Sequence, residues 1–191
     1  MRYLATQFMR DEDEVVVDSA AWDALFVAHR NAIRRIDNPR GSGALTLRRP
    51  EAGIANDPAW LRARFVRHLL HDEGIRAVTE GSGGFDVLAE TEDGMTTAFD
   101  WAAGDLGGLR RSVAAMAAAF RHGTIRAGIL IIPSAELKEL LDLPDRATTA
   151  EAMQAWGEVA DGIARGTFGL TIVEHDGHTN APAVPPLALP A

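Results

Sequence analysis

The run Gly84-Phe85-Asp86-Val87-Leu88-Ala89-Glu90, with its return Met95-Thr96-Thr97-Ala98-Phe99-Asp100-Trp101-Ala102, reads as two strands joined by a tight loop. The loop length decides which side chains share a face, because a one-residue slip turns every side chain over. A two-residue turn at Asp93-Gly94 would set Asp86 opposite Trp101 and split the large side chains between the faces. A three-residue loop, Glu92-Asp93-Gly94, with Gly94 in the left-handed conformation, gathers Phe85, Val87, Phe99 and Trp101 on one face. Asp86, Leu88, Glu90, Ala98, Asp100 and Ala102 then share the other. This register is preferred because it buries the aromatics together. It puts Asp86 directly across from Asp100. Directly opposed residues have Cβ atoms roughly 4.5–5.5 Å apart, and like charges there are destabilising. A divalent cation between them is the usual compensation, since Mg²⁺ accepts one or two carboxylates. The hairpin alone leaves open that one aspartate lies on a solvated edge.

Upstream of this hairpin, Asp18 and Ser19 can cap a helix that carries Trp22, Leu25, Phe26, Ile33 and Ile36 at helical spacing. Val15-Val16-Val17 is strand-like. Residues 37–56 hold Asn38-Pro39, Gly41-Ser42-Gly43 and Pro50 and read as a loop. That loop also carries Arg40, Arg48 and Arg49, a basic stretch within an acidic chain and so a candidate contact surface. Asp57 followed by Pro58 starts a second helix with a stripe of Leu61, Phe65 and Leu69, stopped at Gly74. A third strand-like run covers about 75–80, separated from the hairpin by Gly81-Ser82-Gly83-Gly84. Downstream, a helix is expected over about 106–122 and a buried strand over 127–132, ended by Pro133. A short helix follows at about 134–141. Thr148 with Glu151 makes a capping box for another helix, to about 164. Residues 167–174 look like a late strand, and the tail 180–191 is proline-rich. The order of helix, three-strand meander, crossover helix and strand predicts an α/β (α+β) fold with a mixed sheet. The 106–122 helix is long enough to join two parallel strands.

The chain has 191 residues, 47% hydrophobic and 24% charged, and reads as one domain with its core over about 57–133. No apolar run reaches membrane-spanning length. There is no cysteine. Disulfides, thiol catalysis and cysteine-ligated zinc are therefore excluded. With no apolar leader at Met1-Arg2-Tyr3-Leu4, a cytoplasmic location is expected. The net charge of −8 speaks against non-specific nucleic-acid binding but not against a local basic groove. Lys138 is the sole lysine, so the cationic side chains are almost all arginine, which forks phosphate and guanine edges bidentately.

The pattern resembles the core of the PD-(D/E)XK nucleases. Within that superfamily it looks like the BglII/BstYI-type restriction endonucleases, with BamHI as a more distant relative. Their signature is an acidic-x-Gln triplet, then an aromatic, a glycine and a polar residue, then a helix and an apolar strand ending in proline. The corresponding run here is Asp100-Trp101-Ala102-Ala103-Gly104-Asp105, followed after the helix by Gly128-Ile129-Leu130-Ile131-Ile132-Pro133. Pro182-Ala183-Val184-Pro185 resembles that family's Pro-x-Val-Pro tail. The resemblance covers most of residues 15–187.

It implies a restriction-endonuclease-like fold, a Mg²⁺-dependent DNA endonuclease acting on double-stranded DNA, Mn²⁺ as a substitute, and a homodimer. Asp86 and Asp100 carry over as the metal ligands, with a backbone carbonyl near Ala102. The third catalytic position does not carry over. The family's Gln, Glu or Lys is Ala102, its glutamate is the shorter Asp100, and the polar residue after the glycine is Asp105. Arg110 or Arg111, at the start of the next helix, is the candidate substitute, and Arg40, Arg48, Arg49, Arg110 and Arg111 are the candidate DNA contacts. The alternative is a catalytically degenerate nuclease fold that binds DNA or a protein partner. Two weaker patterns have bland preferred readings. His68 and His71, at i and i+3, have zinc-ligand spacing but read as a solvated helix face. Glu174-His175-Asp176-Gly177-His178 has the residue types of a metal cluster but reads as a polar loop after a strand.

Overall fold

The computed structural model describes residues 1–11, 19–51, 55–72, 75–81, 84–102, 105–141 and 147–184. A six-stranded mixed sheet runs in the order β1-β7-β6-β5-β4-β3. Its strands are β1 (Arg2–Asp11), β3 (Ala77–Glu80), β4 (Val87–Glu90), β5 (Thr96–Trp101), β6 (Ala127–Pro133) and β7 (Thr167–Glu174). A separate parallel pair joins β2 (Thr46–Leu47) to β8 (Gly177–His178). The expected meander is β3-β4-β5, antiparallel throughout, and β6 lies parallel to β5. Beyond that crossover, β7 also lies parallel to β6, and β1 closes the far edge antiparallel to β7.

Helices start where short polar side chains satisfy free N–H groups. Ser19 accepts from the Trp22 N–H to open α1 (Ala20–Arg34), and Asp57 from Ala59 to open α2 (Pro58–Leu69). Asp105 caps α3 (Leu106–Arg121), and Ser134 caps α4 (Ala135–Leu140). Thr148 and Glu151 form the expected capping box of α5 (Thr149–Val159).

Two apolar clusters cover the two faces of the sheet. One packs Val87, Phe99, Trp101 and Ile129 against α1 and α2. The other packs Ala98, Ala102, Leu130 and Leu170 against α3 and α5. All seven residues of β6 are buried, as a central parallel strand covered on both sides requires.

The hairpin register agrees with the expected one: Val87 pairs with Phe99, Ala89 with Thr97, and Gly94 takes φ +83°. One expectation is corrected. Phe85 does not join Val87, Phe99 and Trp101; it packs in the opposite cluster with Ala98, Ala102 and Leu109. Regular pairing begins only at Val87, and Gly84 at φ +84° redirects the chain just before it, so the alternation does not extend back to Phe85. Strand β1 was not anticipated from the sequence. The strand-like Val15–Val17, the candidate cap Asp18, the helix stop Gly74, Ser82 and Gly83 of the glycine turn, Ala103, Gly104 and the tail from 185 onward lie outside the described residues.

Candidate active site

Asp86 immediately precedes β4, and Asp100 is the penultimate residue of β5. An unbroken ladder would set Trp101 opposite Phe85. Instead the Trp101 N–H donates to Asp86 Oδ2 at 2.8 Å, and the Asp86 N–H donates to Asp100 Oδ1 at 3.3 Å. Each carboxylate is thus fixed by the backbone of the neighbouring strand. Here the aspartate side chains take over at the point where the strands diverge.

Both groups are largely withdrawn from water: Asp100 is 7% exposed and the Asp86 side chain 17%. Burial, and next the Asp100 charge, push the Asp86 carboxyl up to about 6. The Trp101 N–H and the Arg62 guanidinium act in the opposite direction. Arg62 comes from the first half of α2, and its Nε lies 2.7 Å from Asp86 Oδ1. No local sequence signal links two residues so far apart in the chain; the capped start of α2 and its packing on the sheet bring them together.

The pair opens into a cavity of about 460 Å³ whose wall includes Ala102, Arg111, Ser112 and Ala115. Arg111 therefore shares the aspartates' cavity. Its guanidinium lies over the first turn of α3, where a Cβ on Gly107 would sit 3.5 Å from Arg111 Nη1. Arg110 points elsewhere, 3.9 Å from Glu158 on α5. Ala102 is buried at the third position of the triplet and brings no functional group. Asp105 is occupied as a cap: its Oδ1 accepts from the Gly108 N–H at 2.6 Å.

The three loop arginines are not brought together. Arg48 pairs with Glu51 at 2.8 Å. Arg49 lines a cavity beside Glu136 and His175. Arg40 lines a basic cavity of about 560 Å³, with Arg34 and Arg35 from the end of α1 and Arg64 and Arg67 from α2. Asp37 in its wall is committed to the Gly41 N–H and to Arg64. The sequence reading missed this concentration of positive charge because arginines near helix ends look like ordinary solvated termini. His68 and His71 line the same cavity. Partial burial, then Arg64 and Arg35, hold His68 below the usual histidine range. Surrounding cations disfavour a metal there.

Two facing, mutually repelling carboxylates in a cavity are a hard-oxygen donor set of the kind a small divalent cation takes. On this geometry the comparison with known families is decisive. A match to the family described as restriction endonuclease BamHI spans residues 1–187. The chain belongs to the BamHI restriction endonuclease family. No curated protein matches it. Membership of the BamHI family makes the chemistry that of a DNA endonuclease, and the mixed sheet with flanking helices is consistent with its restriction-endonuclease-like fold. Among the described residues, no helix is long and apolar enough to cross a membrane.

Proposed function

We propose that the chain is a Mg²⁺-dependent type II restriction endonuclease that hydrolyses phosphodiester bonds at a specific duplex site, as a cytoplasmic homodimer. The observation that carries this reading is the Asp86–Asp100 pair, whose mutual repulsion calls for a cation. We read the chain as a divergent member on the BglII/BstYI side of the family: the apolar strand ending at Pro133 and the Pro182–Pro185 tail support that reading, and Ala102 is where the chain departs from that group's triplet.

Asp86 and Asp100 would hold the cation, and both must be ionised to do so. A bound divalent ion supplies an acidified water and neutralises charge building on the phosphate. Arg62, with its Nε 2.7 Å from Asp86 Oδ1, favours the ionised form of Asp86 against burial and the Asp100 charge. Arg111 faces the same cavity and offers a planar set of donors to a phosphate oxygen, the job that no side chain at Ala102 can do. Ser112 adds a hydroxyl to that wall. The basic cavity between α1 and α2 gives the DNA backbone a favourable surface on an otherwise acidic protein. Two-fold protein symmetry matches a palindromic site.

Digestion of DNA of mixed sequence with Mg²⁺, beside a chelator control, tests the reading. Discrete fragments that need the metal are expected. If wild-type protein retains DNA on a gel yet never cuts with Mg²⁺ or Mn²⁺, the chain is a degenerate, DNA-binding member instead. Sedimentation that shows only a ~20 kDa species, with and without DNA, would remove the homodimer.

A further inference from the structure

We infer that Arg62 stands in for the cation until DNA arrives: its guanidinium covers Asp86 Oδ1, and a DNA phosphate draws it away and opens that oxygen to the metal. This rests on the reading of Asp86 and Asp100 as metal ligands in a DNA endonuclease. Asp86 has two oxygens to offer. Oδ2 accepts from the Trp101 N–H at 2.8 Å. Oδ1 is the oxygen beside Arg62, whose Nε lies 2.7 Å away. A cation approaching Oδ1 therefore meets a positive charge already in place. With Arg62 there, the three side chains carry one net negative charge. With Arg62 withdrawn, the aspartates carry two, and a divalent ion is held more tightly.

The contact is of a kind that exchanges easily. Among the described residues, Arg62 Nε makes no aligned hydrogen bond although that atom is buried. The side chain as a whole is 41% exposed. An ion pair so open to water and so poorly aligned contributes little to stability. A phosphate offers a guanidinium two parallel, charge-assisted hydrogen bonds instead. The same helix, α2, also carries Arg64 and Arg67 into the basic cavity that the DNA backbone would use. A duplex lying along α2 thus brings phosphates within reach of Arg62. Metal and DNA then favour each other's binding, and by equal factors. An Arg62 that merely held Asp86 in place for the ion would have the opposite effect: its loss would weaken metal binding.

Two measurements on the full chain separate these cases. Mn²⁺ is titrated calorimetrically without DNA at pH 8, above the value of about 6 at which Asp86 titrates. Retention of mixed-sequence duplex DNA is measured in chelator over a range of NaCl concentrations. Arg62→Gln should bind Mn²⁺ more tightly than wild type by roughly 5–150-fold, the ordinary range of coupling between two sites. Arg62→Lys, which keeps the charge, should stay close to wild type. In chelator, Arg62→Gln should lower the salt slope of DNA binding by about 0.9, the loss of one phosphate contact. Unchanged or weaker Mn²⁺ binding in Arg62→Gln overturns the inference, and so does an unchanged salt slope; both leave the aspartates as ligands. Mn²⁺ binding that survives Asp86→Asn, or none in any of the proteins, overturns the reading of the aspartates as ligands and this inference with it.

Discussion

Asp86 and Asp100 each accept a hydrogen bond from the other's strand: Trp101 N–H to Asp86 Oδ2 at 2.8 Å, and Asp86 N–H to Asp100 Oδ1 at 3.3 Å. The two acids are therefore held in register by backbone and cannot relieve their repulsion by swinging apart.

This arrangement makes stability fall as pH rises. The Asp86 carboxyl is raised to about 6 from an ordinary 3.8, by burial first and by Asp100 second. Between those values the folded chain holds a proton that the unfolded chain has released. Stability therefore declines through that window, and the penalty is complete above it. In chelator, Asp86→Asn should melt above wild type at pH 7.5, by on the order of 1–2 kcal/mol, since the Arg62 attraction is lost together with the repulsion. The two should converge near pH 4. Thermal melts across pH check this; a constant offset would contradict it.

Metal affinity should follow the same group with the opposite sense. A cation needs ionised ligands, so below pH 6 its binding competes with the Asp86 proton. Affinity for Mn²⁺ should drop roughly tenfold per pH unit there and level off above it. Calorimetric titration of wild type between pH 5 and pH 8 reads the curve, and the heat should vanish in Asp86→Ala.

The two arginines at the start of α3 should behave differently. Arg111 lines the cavity of the aspartates, while Arg110 lies 3.9 Å from Glu158 on the surface. Arg111→Ala should lower the cleavage rate by roughly 10²–10³-fold, the cost of losing one charge-stabilising donor. Arg110→Ala should change stability by less than about 0.5 kcal/mol and leave cleavage alone. Single-turnover rates of both variants decide.

DNA affinity should draw on the cavity between α1 and α2. If Arg35 and Arg67, both in its wall, each neutralise one phosphate, the double change to alanine should reduce the salt slope of binding by about 1.8. Gel shifts over a range of NaCl concentrations measure it. An unchanged slope would place the DNA elsewhere.

The hairpin was legible in the sequence because its information is local. The loop Glu92-Asp93-Gly94, one left-handed glycine and the alternation of Val87, Phe99 and Trp101 were enough to oppose the aspartates. The caps of α1, α2 and α5 were legible for the same reason. Phe85 was misplaced because alternation holds only while the ladder does, and the ladder stops at Val87. Strand β1 escaped notice because its pattern is broken: Leu4 and Phe8 are exposed, and its pairing with β7 shifts register twice. Arg62 and the basic cavity depend on how α1 and α2 pack against their neighbours. That packing juxtaposes residues distant in sequence and leaves no local trace.

The most direct measurement compares Mg²⁺-supported cleavage of duplex DNA by wild type and by Asp86→Asn, with DNA retention by both measured in parallel. Asp86→Asn should bind DNA at least as well as wild type, having lost a negative charge from the cavity, and should cut it slower by roughly 10²–10⁴-fold. Cleavage at the wild-type rate by Asp86→Asn would show that Asp86 and Asp100 are not the centre at which the strand is cut.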